Sequence, residues 1–376
     1  MQKGACIIKV KLKSILPVLF ALSAATAFLI FSGKTAESVS RSLAICGKLI
    51  VPSLFPYMVM SSLLAKTGTA DIIGKAFSRP VAYLFKLPPE CASAVIMGAV
   101  CGFPVGAVTA VDLYAGGKIS KDTAERLLPI CNNTGPSFII GVIGNVYWNS
   151  PSFGVFLYAA QIIASVTVGV ASSLSSPQKT VIADEDKRKA RTDDGNLLAQ
   201  LSQSISTAAV NMLIICGFIV FYAATDLVLP ITDALFPSGY VSAIFAACME
   251  FSSGAKLAAA HSSHAFAAAV TTFSIGWAGL SVHSQTAAFA IQRGLSMRRY
   301  YKCKFAQGLI CAVLSFAYAI KTNISPALTV FTSLPPVIPP RNNMLVTAVY
   351  VVFFTSLICY IIQKTLFRKK SQSLYK

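Results

Sequence analysis

Long runs of this chain carry no Asp, Glu, Lys or Arg, among them residues 91–111, 127–178, 195–225 and 257–292. An α-helix crosses a bilayer with roughly 20 apolar residues, so the run 127–178 has room for two crossings. The pattern predicts spans at 14–32, 43–65, 131–147, 151–174, 204–224, 265–292, 305–320 and 344–365. Two further stretches, 88–117 and 237–262, are apolar but interrupted. In the first, "GFPVGA" (102–107) places Gly102 and Gly106 where the chain can reverse sharply. Pro104 removes an N–H donor and disfavours helix at Phe103. Irregular backbone is tolerated at membrane depth only when buried in protein or lining a wet cavity. Each stretch is therefore predicted to be a helix, a tip and a second helix: a re-entrant hairpin.

Charge supplies the direction. Lys3, Lys9, Lys11 and Lys13 precede the first span, which places the N-terminus in the cytoplasm under the positive-inside rule. With both hairpins entering and leaving on one side, eight spans alternate. Segments 66–90, 118–126, 175–200, 293–304 and the C-terminal tail then face the cytoplasm and hold most of the basic residues. The outer loop 225–240 has Asp226 and Asp233 but no Lys or Arg, whereas Lys34, Arg41 and Lys48 run against the trend.

The first hairpin then enters from the cytoplasm and the second from outside, the arrangement of an inverted repeat. Internal similarity follows the same order. "GAVCGFPVGA" (98–107) aligns with "AACMEFSSGA" (246–255), matching Ala99 with Ala247, Phe103 with Phe251, and Gly106-Ala107 with Gly254-Ala255. Further on, "NNTGPS" (132–137) resembles "GWAGLS" (276–281).

The fold class expected is an all-α polytopic membrane protein, about eight membrane-spanning helices plus two re-entrant helical hairpins in an inverted repeat. Its parts are an N-terminal span and outer connector (1–42), a first repeat (43–174) with hairpin 88–117, and a cytoplasmic linker (175–200). A second repeat (201–320) with hairpin 237–262 follows, then an outer loop, last span and basic cytoplasmic tail (321–376).

Composition agrees with the pattern. Of 376 residues, 55% are hydrophobic and 12% charged, with mean hydropathy +0.66; soluble domains carry about a quarter charged residues. The net charge of +18 sits in short segments beside apolar spans, which argues for a lipid bilayer and against a nucleic-acid partner. Ten cysteines lie mostly in apolar stretches without a CxxC pair, and the three histidines fit no zinc spacing with them. Neither a metal nor another cofactor is expected. The chain has no Walker A pattern, no nucleophile elbow and no HExxH, so neither ATP-driven transport nor an intramembrane enzyme is expected.

The breaks carry the candidate chemistry. Helix N-termini at the tips offer free N–H groups and partial positive charge to an anion. Gly102, Pro104 and Gly106 form the first tip; Glu250, Ser252, Ser253 and Gly254 form the second. "CNNTGPSF" adds Asn132, Asn133, Thr134 and Ser137, and "WAGLSVHSQ" adds Ser281, His283 and Gln285. Asn132 and Thr134 can alternatively cap the next helix, Glu250 can pair with Lys256, and His283 can be an interhelical histidine. Tyr147 and Trp148 read as an interfacial aromatic belt, and the basic run Arg293 to Lys304 as a cytoplasmic anchor.

"GFPVGA", the following "GGKISKDTAERLLPICNNTGPSFIIGVIG" and "GWAGLSVHSQ" together resemble the YlbJ-type sporulation integral membrane proteins, also called stage V sporulation protein V. The likeness spans roughly residues 10–365. It implies two segments of the Gate, or nucleoside-recognition, type. It also implies a transporter in the outer forespore membrane that moves dipicolinic acid from the mother cell towards the forespore. Dipicolinate is a flat dianion, a shape that helix N-termini at two tips suit. A nucleoside or nucleobase transporter and a non-transporting scaffold of the spore envelope are the alternatives. A coupling ion, proton or sodium, is left open.

Overall fold

The computed structural model describes residues 24–67, 69–174, 196–223 and 238–324, with isolated positions between 18 and 22 and between 229 and 233. The predicted span 344–365 and most of the linker 175–200 lie outside them. Contacts divide the chain into two units, one of residues 1–38, 227–237 and 336–376, the other of 39–226 and 238–335. All the features described below from Val51 onward belong to the second.

Every element among the described residues is helical. In order they are α1 (Ser32–Ile45), a π turn (Cys46–Ile50) running into α2 (Val51–Lys66), α3 (Thr69–Phe85), α4 (Cys91–Val100) and α5 (Val105–Ala115). Then come α6 (Lys121–Cys131), the π-helical α7 (Ser137–Tyr147), α8 (Pro151–Leu174) and α9 (Leu197–Ala223). The last five are α10 (Tyr240–Met249), α11 (Phe251–Ala259), α12 (His264–Trp277), α13 (Gly279–Gln292) and α14 (Arg298–Thr322). Among the described residues, four segments are long and apolar enough to cross a membrane: Pro151–Leu174, Leu197–Tyr222, His264–Gln292 and Arg298–Thr322.

Several boundaries differ from the hydropathy reading, each for a physical reason. The expected outer connector before residue 43 is occupied by α1, and α9 begins at Leu197, inside the expected linker. Segment 66–90, read as a cytoplasmic stretch, contains α3. Its Lys75 and Arg79 lower the mean hydropathy but lie exposed, while Gly74, Val81 and Phe85 are buried. Segment 118–126 opens α6 in the same way. The Ser120 hydroxyl accepts from the Thr123 N–H at 3.2 Å, an N-cap, and Ala124, Leu127, Leu128 and Cys131 form a buried stripe at helical spacing. The two expected spans 131–147 and 265–292 are each broken: the first starts with non-helical chain at 132–135, and Ala278 interrupts the second.

Tyr147 and Trp148 do not form an interfacial belt. Both are buried, and the Trp148 ring packs 4.5 Å from Phe153. An aromatic pair can anchor a core as well as an interface, and only the packing of α7 on α8 decides which.

Candidate functional site

Each interrupted stretch forms two short helices that fold back on one another. Between α4 and α5 the chain turns at Gly102, whose φ of +77° is a left-handed conformation that side chains resist. Gly98 and Gly106 let the hairpin close on the end of α6. A Cβ on either would stand 1.6 or 1.8 Å from the Cys131 carbonyl oxygen, so that oxygen is wedged between the two helices. Pro104 is the N-cap of α5, and no side chain caps that helix.

The second tip is made differently. Between α10 and α11 a single extended residue, Glu250, makes the turn. Its carboxylate accepts from the N–H groups of Ser252 (3.1 Å) and Ser253 (2.7 Å) and from the Ser252 hydroxyl. Gly254 packs directly on the Ala247 backbone. The donors expected to receive a solute here are thus engaged by the protein's own anion. The two tips meet at their phenylalanines: Phe103 and Phe251 touch edge to face with centroids 5.0 Å apart, and Phe138 adds a contact to Phe251 at 5.1 Å.

The two helix breaks lie against these tips in matching positions. A Cβ on Gly102 would stand 2.5 Å from the Gly135 nitrogen, so the first break touches the first tip. Gly279, with φ of +68°, lies against Glu250 and Phe251 at the second. Gly102 aligns with Glu250 and Gly135 with Gly279 in the internal match, so the same pair of positions is in contact in each half. Trp277, which ends α12, donates from its indole N–H to the Cys248 carbonyl at 3.2 Å.

Around the first break is a buried polar network. Asn132 donates to the hydroxyls of Thr286 (2.9 Å) and Tyr300 (2.6 Å). Asn133 donates to the Ile130 carbonyl (2.8 Å) and to Ser165 (3.2 Å). The Gln161 side chain pairs with both backbone groups of Thr134, accepting from its N–H at 3.1 Å and donating to its carbonyl at 2.9 Å. The Thr134 hydroxyl reaches Ile275 on α12 at 3.4 Å. Neither Asn132 nor Thr134 caps α7, whose N-cap is Pro136 without a side-chain bond. Ser137 is half-buried at the start of α7, outside this network.

This is a multi-pass integral membrane protein, by its long apolar helices. Over 311 residues it is 24% identical to the sporulation integral membrane protein YlbJ of Bacillus subtilis (strain 168), covering 74% of this chain and 76% of that protein. That likeness supports the resemblance seen in the motifs. No family model matches the chain, and no solved structure does.

Three predicted residues on α13 are buried without being tied into the network. The Ser281 hydroxyl, the Gln285 amide oxygen and both His283 ring nitrogens have no hydrogen-bond partner among the described residues. The His283 ring is enclosed by Trp277, Tyr300 and Tyr301, with centroids 4.1, 5.2 and 5.3 Å away. Tyr300 links this cage to the first break through its hydroxyl bond with Asn132.

Hydropathy reasoning missed Gln161, Ser165, Thr286, Tyr300, Lys304 and Gln307. Lys304, assigned to a cytoplasmic anchor, is 0% exposed and reaches the first break. A signal was present: Tyr300, Lys304, Gln307, Cys311 and Ser315 form one buried face of α14 at helical spacing. Another lies in "AQIIASV" (160–166) and "AQGLICAV" (306–313), which repeat an Ala-Gln at the point where α8 and α14 approach the break.

Proposed function

We propose that this chain is a secondary transporter of a small anionic solute, built from two inverted repeats whose hairpins are re-entrant from opposite sides. One observation carries the reading: two hairpin tips and two broken helices meet in one buried region, with a polar network beside its aromatic contacts. Phe103 touches Phe251 there, and Gly135 and Gly279 each lie on a tip. Discontinuous helices that converge inside a bundle are the usual means by which transporters present backbone dipoles to a solute. Broken backbone costs stability unless something fills or satisfies it, which favours function over mere folding economy.

The anion-receiving end is assigned to the first tip. There α5 starts without a side-chain cap, and an eleven-residue helix presents its N-terminal dipole. The second tip already holds the Glu250 carboxylate and serves to position, not to attract. His283, Ser281 and Gln285 supply polar groups with unused hydrogen-bonding capacity. Both termini are assigned to the cytoplasm on the charge pattern.

The likeness to the YlbJ protein, named for sporulation, favours a role in sporulation. The family resemblance makes dipicolinate, with the outer forespore membrane as its location, the first solute to test. Purified full-length protein in proteoliposomes should carry labelled dipicolinate in preference to uridine. Carriage of uridine alone replaces the proposed substrate, and flux of neither removes the transport assignment. In an endospore-forming host that depends on this chain, its deletion should give dipicolinate-poor spores while synthesis continues. Spores with normal dipicolinate would count against the assignment.

A further inference from the structure

Lys304 carries an ammonium into the interior without an acidic partner. It is fully buried, and no ion pair reaches it among the described residues. An ionisable side chain inside a membrane bundle is expensive, and its compensation indicates its use. Here the compensation consists of neutral oxygens alone. The Nζ donates to the backbone carbonyl of Asn132 at 2.9 Å, to Gln307 Oε1 at 2.8 Å and, at a longer 3.5 Å, to Asn133 Oδ1.

The cradle is oriented by its surroundings. Gln307 donates from Nε2 to Asn133 Oδ1 at 2.9 Å and to the Gln161 carbonyl at 3.4 Å, which turns Oε1 towards the ammonium. Asn133 uses its own amide N–H groups on Ile130 and Ser165, which turns Oδ1 the same way. Asn132 is the C-cap of α6, so its carbonyl stands at the negative end of that helix dipole. Amide and carbonyl oxygens at the C-terminal end of a broken helix are the groups that coordinate small cations in transporters of this architecture.

We propose that Lys304 is a tethered cation: its ammonium fills a monovalent-cation site at the α6–α7 break, in place of a dissociable coupling ion such as sodium. This rests on reading the chain as a transporter and concerns the ion that would accompany the solute. The charge at the break is then covalently fixed, and solute flux needs no inorganic cation bound there. Truncating the side chain leaves an oxygen-lined vacancy suited to Na⁺ or K⁺.

Full-length protein in proteoliposomes tests this with Na⁺, K⁺ or N-methylglucamine as the only bulk cation, at equal ionic strength. Wild-type dipicolinate flux should be the same in all three. Lys304→Ala should lose about tenfold in N-methylglucamine and recover in Na⁺ or K⁺. The thermal midpoint of the variant in detergent should rise with Na⁺ or K⁺, while that of the wild type should not. Lys304→Met, which refills the space without charge, should not be rescued. Wild-type flux that requires Na⁺ or K⁺ overturns the proposal, as does a folded Lys304→Ala indifferent to the cation. Should Lys304→Ala aggregate in N-methylglucamine, recovery of monodisperse protein in Na⁺ or K⁺ supports the site, and aggregation in all three cations counts against it. A wild type that carries no solute defeats the transport reading instead, and the cation-specific midpoint of Lys304→Ala still decides the cradle.

Discussion

At the scale of single residues, Glu250 and Asn133 hold opposite ends of broken helices. Glu250 satisfies the first N–H groups of α11, and losing such a cap costs about 0.5–2 kcal/mol. Glu250→Ala should therefore lower the thermal midpoint in detergent, and Glu250→Gln, which keeps an acceptor, should lower it less. Because the Gln amide would set an N–H group against donors that the Glu250 carboxylate accepts from, Glu250→Gln should still loosen the second tip and reduce flux while the protein inserts normally. Asn133→Ala leaves Gln307 and Ser165 short of partners in a dry interior, at a cost of about 1–3 kcal/mol, and should also reduce flux. Full flux in both variants, measured in proteoliposomes, would move the solute site elsewhere. Much of this chemistry was legible: Asn132, Asn133, Thr134 and Glu250 stand out as polar residues in apolar sequence. Lys304 was not, because five basic residues between 293 and 304 resemble an anchor until the helix phase is known.

At the scale of elements, the first hairpin closes because two glycines admit a carbonyl between its helices. Gly98→Val and Gly106→Val would each set a Cβ less than 2 Å from the Cys131 oxygen. Both should abolish monodisperse protein in size-exclusion chromatography. Gly141→Ala, at a position with nothing within 4 Å of the added Cβ, should behave as wild type. If the Gly98 and Gly106 variants were equally well behaved, the hairpin would not pack on α6 as described. Positions of the breaks were readable from Gly, Pro and polar residues, but their partners were not. Hydropathy cannot show that Gln161, on α8, closes on the Thr134 backbone, since a glutamine in an apolar helix has many possible partners.

At the scale of the whole molecule, the proposed opposition of the two hairpins has a direct test. Single cysteines at Lys118 and Ser262, in a background lacking the native cysteines, follow the first and second hairpins respectively. A membrane-impermeant maleimide applied to intact cells should label Ser262→Cys only, and Lys118→Cys should react after permeabilisation. Labelling of both from one side would remove the inverted arrangement.

Residue pattern alone settles the solvent and marks where several helices stop. Uncharged runs demand a bilayer, and clusters that combine glycine, proline and polar residues interrupt them, whereas lone prolines such as Pro56 and Pro80 stay inside helices. It also marked equivalent positions in the two halves, since Gly102 and Glu250, and Gly135 and Gly279, align before any contact is known. The contacts each break makes emerge from the folded chain. Glu250 turned out to cap its own helix, Trp148 to fill a core, and Lys304 to reach oxygens of Asn132 and Asn133, 171 or more residues away in sequence, as well as Gln307 on its own helix. The cap at Glu250 is local, but the burial of Trp148 and the reach of Lys304 depend on which face meets which partner. Long-range packing sets that, and local pattern does not encode it.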